Sequence, residues 1–534
     1  MRSLEKNKLL LFPFFVSVSL MICSWYLSYP LSIDSVGDFV FNHISLLYWF
    51  SLPLMLASLY ILGAFSKSHS LKCVISVATI ITLYSLSYFY YTLPTSDSQS
   101  FRGLTEYFIK TKNLDPSQPS HLYFQWPSYF LLSDMVTSVS GMELAKFEFL
   151  LYTIIGFLLA TALYVYASKA FKKGGFLAVA AFFIAMFYFL NYQSVPFSLA
   201  FGLLFLLFML ETRQKSFSVI MTMLVLYTGI SFIHAFVPLF FVLYLLIRCV
   251  LNRSKQYGRL FLMTLIIYLL VQVTQARFSF IDNIRAVFTL PTEYSSIVKA
   301  TLAPVSVPID VVAQMFSRAV TITTVAMCLV GFIILLIKRK MRDLDKAIFL
   351  TGVVYSSFGI LFYTLGARAI PIVFIPISLG AAYLFESRFR SYLKSLFLVL
   401  LILLVFVPVH SSFYDRYIFF QTKEAYNAEH FMIDYYNWTN PSLILAHAPI
   451  VEYLRPNLGA KEVNATSLER DDSSVFPRLR EYDCILYTVG LGNSFLKYNY
   501  TLEGILYDEK LNVVYNNGFS DIIIKGSSFA SAPP

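Results

Sequence analysis

The chain has 534 residues, of which 57% are hydrophobic and 13% charged, with a formal net charge of +10. A composition this apolar excludes an ordinary soluble domain and points to a polytopic membrane protein. The basic excess falls in short clusters between apolar runs rather than in one patch, which argues against a nucleic-acid partner and for membrane topology. Cys23, Cys73, Cys249 and Cys328 lie in or beside apolar runs and only Cys484 lies in the tail, so no disulfide framework is implied.

A bilayer core about 30 Å thick takes roughly 20 apolar residues per helix. Thirteen runs of suitable length follow one another at 9–28, 45–65, 72–93, 146–167, 175–192, 195–211, 217–233, 235–251, 259–276, 319–337, 347–365, 369–385 and 392–410. The first has basic flanks but no small-residue cleavage site and reads as a retained helix. Short turns, NYQSVP and SFIHAF, split the pairs at 175–211 and 217–251.

Alternate connections carry the Lys and Arg residues. One side collects Arg2, Lys6 and Lys8, then Lys67 and Lys72, Lys169, Lys172 and Lys173, Arg213 and Lys215, and Arg248 to Arg259. Lys338 to Lys346 and Arg388 to Lys394 complete that side, whereas the short opposite connections carry only Arg368. The positive-inside rule then puts the N-terminus in the cytoplasm and everything after His410 outside. Two longer loops, 94–145 and 277–318, share the outer side, and the chain is expected to be a multi-pass protein of the cell (plasma) membrane.

The first long loop contains SDSQSFRGLTEYFIKTKNLDPSQPSHLYFQWPSYFLL. Ser96 and Gln99 are spaced as a capping box, with Leu104, Tyr107, Phe108 and Thr111 on one helical face behind them. Asp97 then sits in the first turn, where the helix dipole favours its ionised form by roughly 0.3 to 1 kcal/mol. Such a carboxylate serves as a base, as a ligand to a divalent cation (Mg or Mn), or merely as a cap. NLDPSQPS reads as a turn, and Tyr123 and Trp126 as aromatic residues at headgroup depth before the chain re-enters the bilayer. Arg102 and Glu106 read either as further site residues or as a solvated helix face.

From about 411 the composition changes. TKEAYNAEHFMIDYYNW has helical spacing, while SLILAHA, DCILYTV and SDIIIKG read as strands, together a small α/β domain at 411–534 following the membrane domain at 1–410. Sequons at Asn437, Asn464 and Asn499 fall in that tail, whereas the one at Asn252 falls in an inner loop.

An acid in a loop after a membrane helix, a following helix around Glu106 to Lys110, and the re-entry YFQWPSYFLL with Tyr123, Trp126 and Pro127 resemble the GT-C class of membrane glycosyltransferases. That class includes prokaryotic and archaeal relatives of the oligosaccharyltransferases, the protein mannosyltransferases and the lipid-linked aminoarabinose transferases. FIHAFVPLFFVLYLL around His234 and LGARAIPIVFIPISLGAAYLF around Arg368 look like the class as well. The acid loop here follows the third apolar run rather than the first, and LSIDSVGDFVF in the first outer loop offers Asp34 and Asp38 as rival carboxylates. Neither loop has a tight Asp-x-Asp pair, and no WWDYG-like acceptor signature is present.

The resemblance implies a helical, GT-C-like membrane fold of about thirteen helices. It implies transfer of a sugar from a polyprenyl (dolichyl-type) phosphate to a protein, lipid or glycan acceptor, with membrane lipids as the other partners. Asp97 would be the base, and Arg368 and His234 would hold the donor phosphate; an interfacial anchor and a structural turn residue are the plainer readings of those two. Arg277, Glu293 and Lys299 in the second long loop would close over the donor or cap the outer face. A carrier or flippase for lipid-linked glycans, or a non-catalytic assembly protein, is the alternative. Against the carrier stand spans almost free of charge in their middles and no internal duplication.

Overall fold

Apolar runs bounded by serine caps, prolines and basic clusters become helices throughout the described part of the chain. The computed structural model describes residues 2–29, 44–89, 96–115, 123–186, 195–211, 216–277, 311–361 and 363–386, and strand residues 444–445, 484–488, 511–516 and 520–525. The helices are α1 (Arg2–Ser28), α2 (Leu46–Phe65), α3 (His69–Leu83), α4 (Ser96–Thr111), α5 (Ser128–Ser140), α6 (Leu144–Ala170) and α7 (Gly175–Ala185). They continue with α8 (Pro196–Glu211), α9 (Phe217–Ile233), α10 (Val237–Asn252), α11 (Lys255–Thr274), α12 (Val311–Ile337), α13 (Asp343–Leu361) and α14 (Tyr363–Glu386). Every predicted span except 392–410, which lies outside the described residues, overlaps one of these helices; 347–365 runs from α13 into α14, and the ends of 72–93 and 175–192 lie outside the described residues.

Local chemistry sets the ends. The side chains of Ser45, Ser68 and Ser216 accept backbone N–H bonds at the starts of α2, α3 and α9. Gly141, at φ +66°, closes α5 in the left-handed conformation that glycine adopts without strain. The run predicted as one span at 72–93 is broken: α3 stops at Leu83, and Ser85–Phe89 form a 3-10 turn. Ser85 causes this, since its hydroxyl donates back to the Thr82 carbonyl at 2.7 Å and meets the Tyr48 hydroxyl at 3.0 Å. At the other boundary α14 already begins at Tyr363, so Arg368 is helical rather than part of a connection.

Among the described residues, four helices are long and apolar enough to cross a membrane, and seven shorter apolar helical stretches accompany them. The surface carries the same message: α11 exposes Leu262, Met263, Ile266, Leu270 and Val273, an apolar face suited to lipid. By contrast every residue of α7 is buried, as an all-apolar helix at the centre of a bundle must be. Helices α12 and α14 cross where Gly331 meets Gly380; a Cβ on either would overlap the other's neighbouring backbone. Small residues let membrane helices approach this closely.

In the tail, SLILAHA, DCILYTV and SDIIIKG contain β1 (Ile444–Leu445), β2 (Cys484–Thr488) and β4 (Ser520–Lys525), joined by β3 (Leu511–Asn516), which the sequence reading did not anticipate. The strand order is β1-β2-β4-β3: β1 pairs parallel with β2, and β4 pairs antiparallel with β2 and β3. A register shift between Val513 and Tyr515 marks an irregularity in β3. The predicted helix at TKEAYNAEHFMIDYYNW lies outside the described residues.

Candidate functional site

The long acid-bearing loop builds two helices, α4 and α5, at the end of the bundle opposite the Lys/Arg clusters. Lys112 and Asp134 clamp them together, Nζ donating to both carboxylate oxygens at 2.7 and 2.8 Å. The hydrogen bond from Lys112 holds the Asp134 carboxyl below its ordinary value, with a further bond from Ser138 acting the same way.

Helix α4 starts at Ser96, which puts Asp97 in its first turn as predicted. At about 3.6 residues per turn, Asp97 is in register with Phe101, Leu104 and Phe108 and roughly opposite Glu106. The side chains of Asp97 and Arg368 lie outside those described, and Asp34 and Asp38 outside the described residues altogether, as do Glu293 and Lys299. Arg277 is exposed just beyond α11.

Arg102 and Glu106 do not form a solvated face. They are 1% and 8% exposed, and Arg102 is among the largest fully buried side chains of the protein. Glu148 of α6, itself 2% exposed, lies close to both: it attracts the Arg102 guanidinium and repels the Glu106 carboxyl. Two carboxylates and one guanidinium thus share the interior between α4 and α6, where an isolated charge would be expelled.

Trp126 also departs from expectation. It is 5% exposed, packed with Ala235, Phe236 and Ala276, and is therefore a wedge inside the bundle rather than an interfacial anchor. The small side chains of Ala235 and Ala276 make room for the indole. Tyr123 is half-exposed and meets Phe101 edge-on at 4.7 Å. His234 is buried at the turn between α9 and α10, where its Nδ1 accepts from the N–H groups of Phe236 and Val237 at 3.1 and 3.4 Å. It caps the start of α10, and in the neutral ring the proton sits on Nε2.

On the other side of the same turn of α6 lies a groove of about 430 Å³, open to the surface. Met21, Ile22 and Trp25 of α1, Tyr88 and Phe89 of the 3-10 turn, and Phe149 of α6 line it. Lys146 stands at its rim, paired with Glu143 at 3.1 Å, both side chains about 60% exposed. An exposed pair of this kind exchanges readily for another anion.

No protein-family profile and no curated protein matches the chain. Among solved structures it is similar to ArnT from Cupriavidus metallidurans in the apo state, at 10% identity and a TM-score of 0.46, over 87% of this chain and 99% of that one. It is similar to ArnT from the same organism bound to undecaprenyl phosphate, at 9% identity and a TM-score of 0.49, with 87% and 99% covered. The Archaeoglobus fulgidus oligosaccharyltransferase in its apo form is similar at 10% identity and a TM-score of 0.44, over 86% of this chain and 75% of that one. Likeness this distant is no argument for chemistry, which rests on the residues themselves.

Among the described residues no three His, Cys, Asp or Glu side chains converge as metal ligands. The cation beside Glu106 and Glu148 is Arg102, so this cluster does not fit a divalent ion. The Mg or Mn named from the sequence is therefore not placed at this cluster. Glu148 is the residue that sequence reasoning missed. Its signal was present: an acid at the start of an otherwise apolar run, where charge is costly and needs a partner.

Proposed function

We propose that this protein is a membrane glycosyltransferase that moves a sugar from a polyprenyl (dolichyl-type) phosphate to an acceptor hydroxyl at the face built by α4 and α5. The buried Arg102–Glu106–Glu148 cluster carries this reading. It fixes the acid-bearing helix to α6 on one side while an apolar groove of about 430 Å³ with a lysine at its rim, which an isoprenoid chain would occupy, opens on the other side of the same helix turn. In the full architecture, thirteen helices run with the N-terminus cytoplasmic, and the four strands belong to an outer α/β domain.

In the reaction Asp97 takes the acceptor hydroxyl proton as the acceptor oxygen bonds to the sugar's anomeric carbon. The bond from that carbon to the phosphate oxygen breaks, and polyprenyl phosphate leaves with the electron pair. Arg368 holds the leaving phosphate with two hydrogen bonds, Lys146 meets it at the groove, and His234 keeps the α9–α10 turn in shape beside Trp126. Arg102, Glu106 and Glu148 are positioning residues. The acceptor is a protein, lipid or glycan, and any divalent ion would sit at the loop acids.

The test uses the full-length protein in nanodiscs with a radiolabelled pool of lipid-linked sugars, reading release of polyprenyl phosphate. Asp97→Asn is expected to lose activity by roughly 10² to 10⁴-fold, the usual contribution of a positioned base, while Asp34→Asn and Asp38→Asn keep it. Transfer undiminished in all three variants would refute the site. Lipid scrambled across vesicles with no donor consumed would replace the enzyme with a flippase.

A further inference from the structure

At the opposite, basic end, two adjoining cavities of about 840 and 430 Å³ open between α6 and the turn after it, α12 and the turn after it, and α14. The larger is lined by Lys169, Lys338, Lys340 and Arg342, and the smaller adds Lys172 and Lys173. Among the described residues the two linings hold six cations and one acid, Glu386; Arg342 is already paired with Asp345 at 2.7 Å, which leaves five lysines. Glu386 is engaged already: its Oε1 accepts from the backbone N–H groups of Lys173 and Gly174 at 2.6 and 2.9 Å.

The rim is rigid. Buried Lys72 donates from below to the carbonyls of Lys172 and Lys173 at 3.4 and 3.1 Å, so the turn between α6 and α7 is gripped through both its amides and its carbonyls. Gly174 lies so close to Ala382 of α14 that a Cβ there would strike the Ala382 carbonyl. Lys338 is fixed by donating to the Tyr383 hydroxyl at 2.9 Å. Like charges held in a concavity repel one another and focus a positive field outward, and an anion relieves both effects. One wall is apolar, formed by Phe171, Ile334 and Leu384, and it continues onto α12, where Ile333 and Ile337 are 51% and 75% exposed.

We propose that this cavity binds the phosphate head of an anionic lipid from the leaflet at the basic end, which the positive-inside rule makes the cytoplasmic one, with an acyl or prenyl chain along Ile334 and the outer face of α12. The apolar wall is what favours a lipid over free phosphate, which has no use for it. The site is remote from α4 and independent of the transfer reaction.

Native mass spectrometry of the full-length protein, titrated separately with phosphatidylglycerol, a polyprenyl phosphate, phosphatidylcholine and inorganic phosphate, tests this. Either anionic lipid retained in preference to phosphatidylcholine supports the site, and the stronger of the two names the source. Replacing both Lys338→Gln and Lys340→Gln should weaken that binding roughly tenfold or more. Lys340→Gln alone, at an exposed position, should weaken it in the same sense without disturbing the Lys338–Tyr383 contact. Lys346→Gln, whose ammonium pairs with Asp343 at 3.1 Å, should bind as the parent does. Equal retention of phosphatidylcholine, unchanged binding in the Lys340 variants, or displacement of lipid by inorganic phosphate alone would overturn the proposal.

Discussion

Buried charge is handled in two ways at the two ends of this bundle. At the basic end Glu211 accepts from Arg248 at 2.9 Å and from the Tyr257 hydroxyl, with the guanidinium 4.7 Å from the tyrosine ring centroid. Asp345 repeats the pattern, accepting from Arg342 at 2.7 Å and from the Tyr166 hydroxyl at 2.6 Å, with that guanidinium 4.9 Å from the ring. Each set holds one acid, one arginine and one tyrosine, and each ties helices together without surplus charge. Between α4 and α6 the count differs: two acids, Glu106 and Glu148, are buried with one arginine, Arg102. A closed set specifies structure, whereas a second buried acid around one arginine beside a groove is the kind of arrangement that chemistry uses.

The contrast can be broken most forcefully at the acid loop. Asp97→Asn should reduce polyprenyl phosphate release by roughly 10² to 10⁴-fold with the unfolding transition unmoved. Arg248→Met should do the reverse, leaving Glu211 buried without its guanidinium at a cost of about 3 to 5 kcal/mol in denaturant unfolding, with transfer per folded molecule intact. If instead Arg248→Met abolished transfer without loss of stability, the two ends would not differ as described.

Glu148→Gln is expected to fall between these extremes. Loosening α4 by a fraction of a helix turn should lower kcat by up to about 10²-fold with donor KM little changed, and Glu148→Asp should restore part of it. Filling the groove with Ile22→Trp should raise KM for a long-chain donor roughly tenfold and spare a short-chain analogue, measured by donor titration.

The smallest effect concerns pH. Because Asp134 has a lowered value in the folded protein, its clamp on Lys112 stabilises the α4–α5 pair above the unfolded value near ~3.9. That contribution disappears as pH falls through the lowered folded value. Hydrogen exchange at residues 108–112 should therefore quicken below about pH 4 in the parent, and Lys112→Met should remove the pH dependence.

The helices were legible because lipid demands long apolar runs and the chain marks their ends with serine, proline and lysine. The break after Leu83 was not, since the serines in TLYSLSYFYY are spaced among aromatic residues as in many membrane helices and the interruption depends on Ser85 finding Tyr48 from another helix. Arg102 and Glu106 one turn apart look like a solvated pair, and the acid that draws the arginine inward, Glu148, lies far along the chain. Trp126 likewise has the spelling of an interfacial anchor, and only the small residues Ala235 and Ala276 show why it is inside. In the tail, SDIIIKG and DCILYTV announce strands by composition, whereas LNVVYN does not, because two asparagines dilute its apolar run.

The crossing of α12 and α14 bears on how this sequence can drift. At Gly331 and Gly380 the spacing between two helices is set by main chain against main chain, so not even a methyl group is admissible at either position. A few residues away, Val330 and Ile333 look outward at 52% and 51% exposure, and any apolar side chain should serve there. Along one short segment, then, evolutionary freedom alternates between nearly none and nearly complete, with a period set by the helix itself.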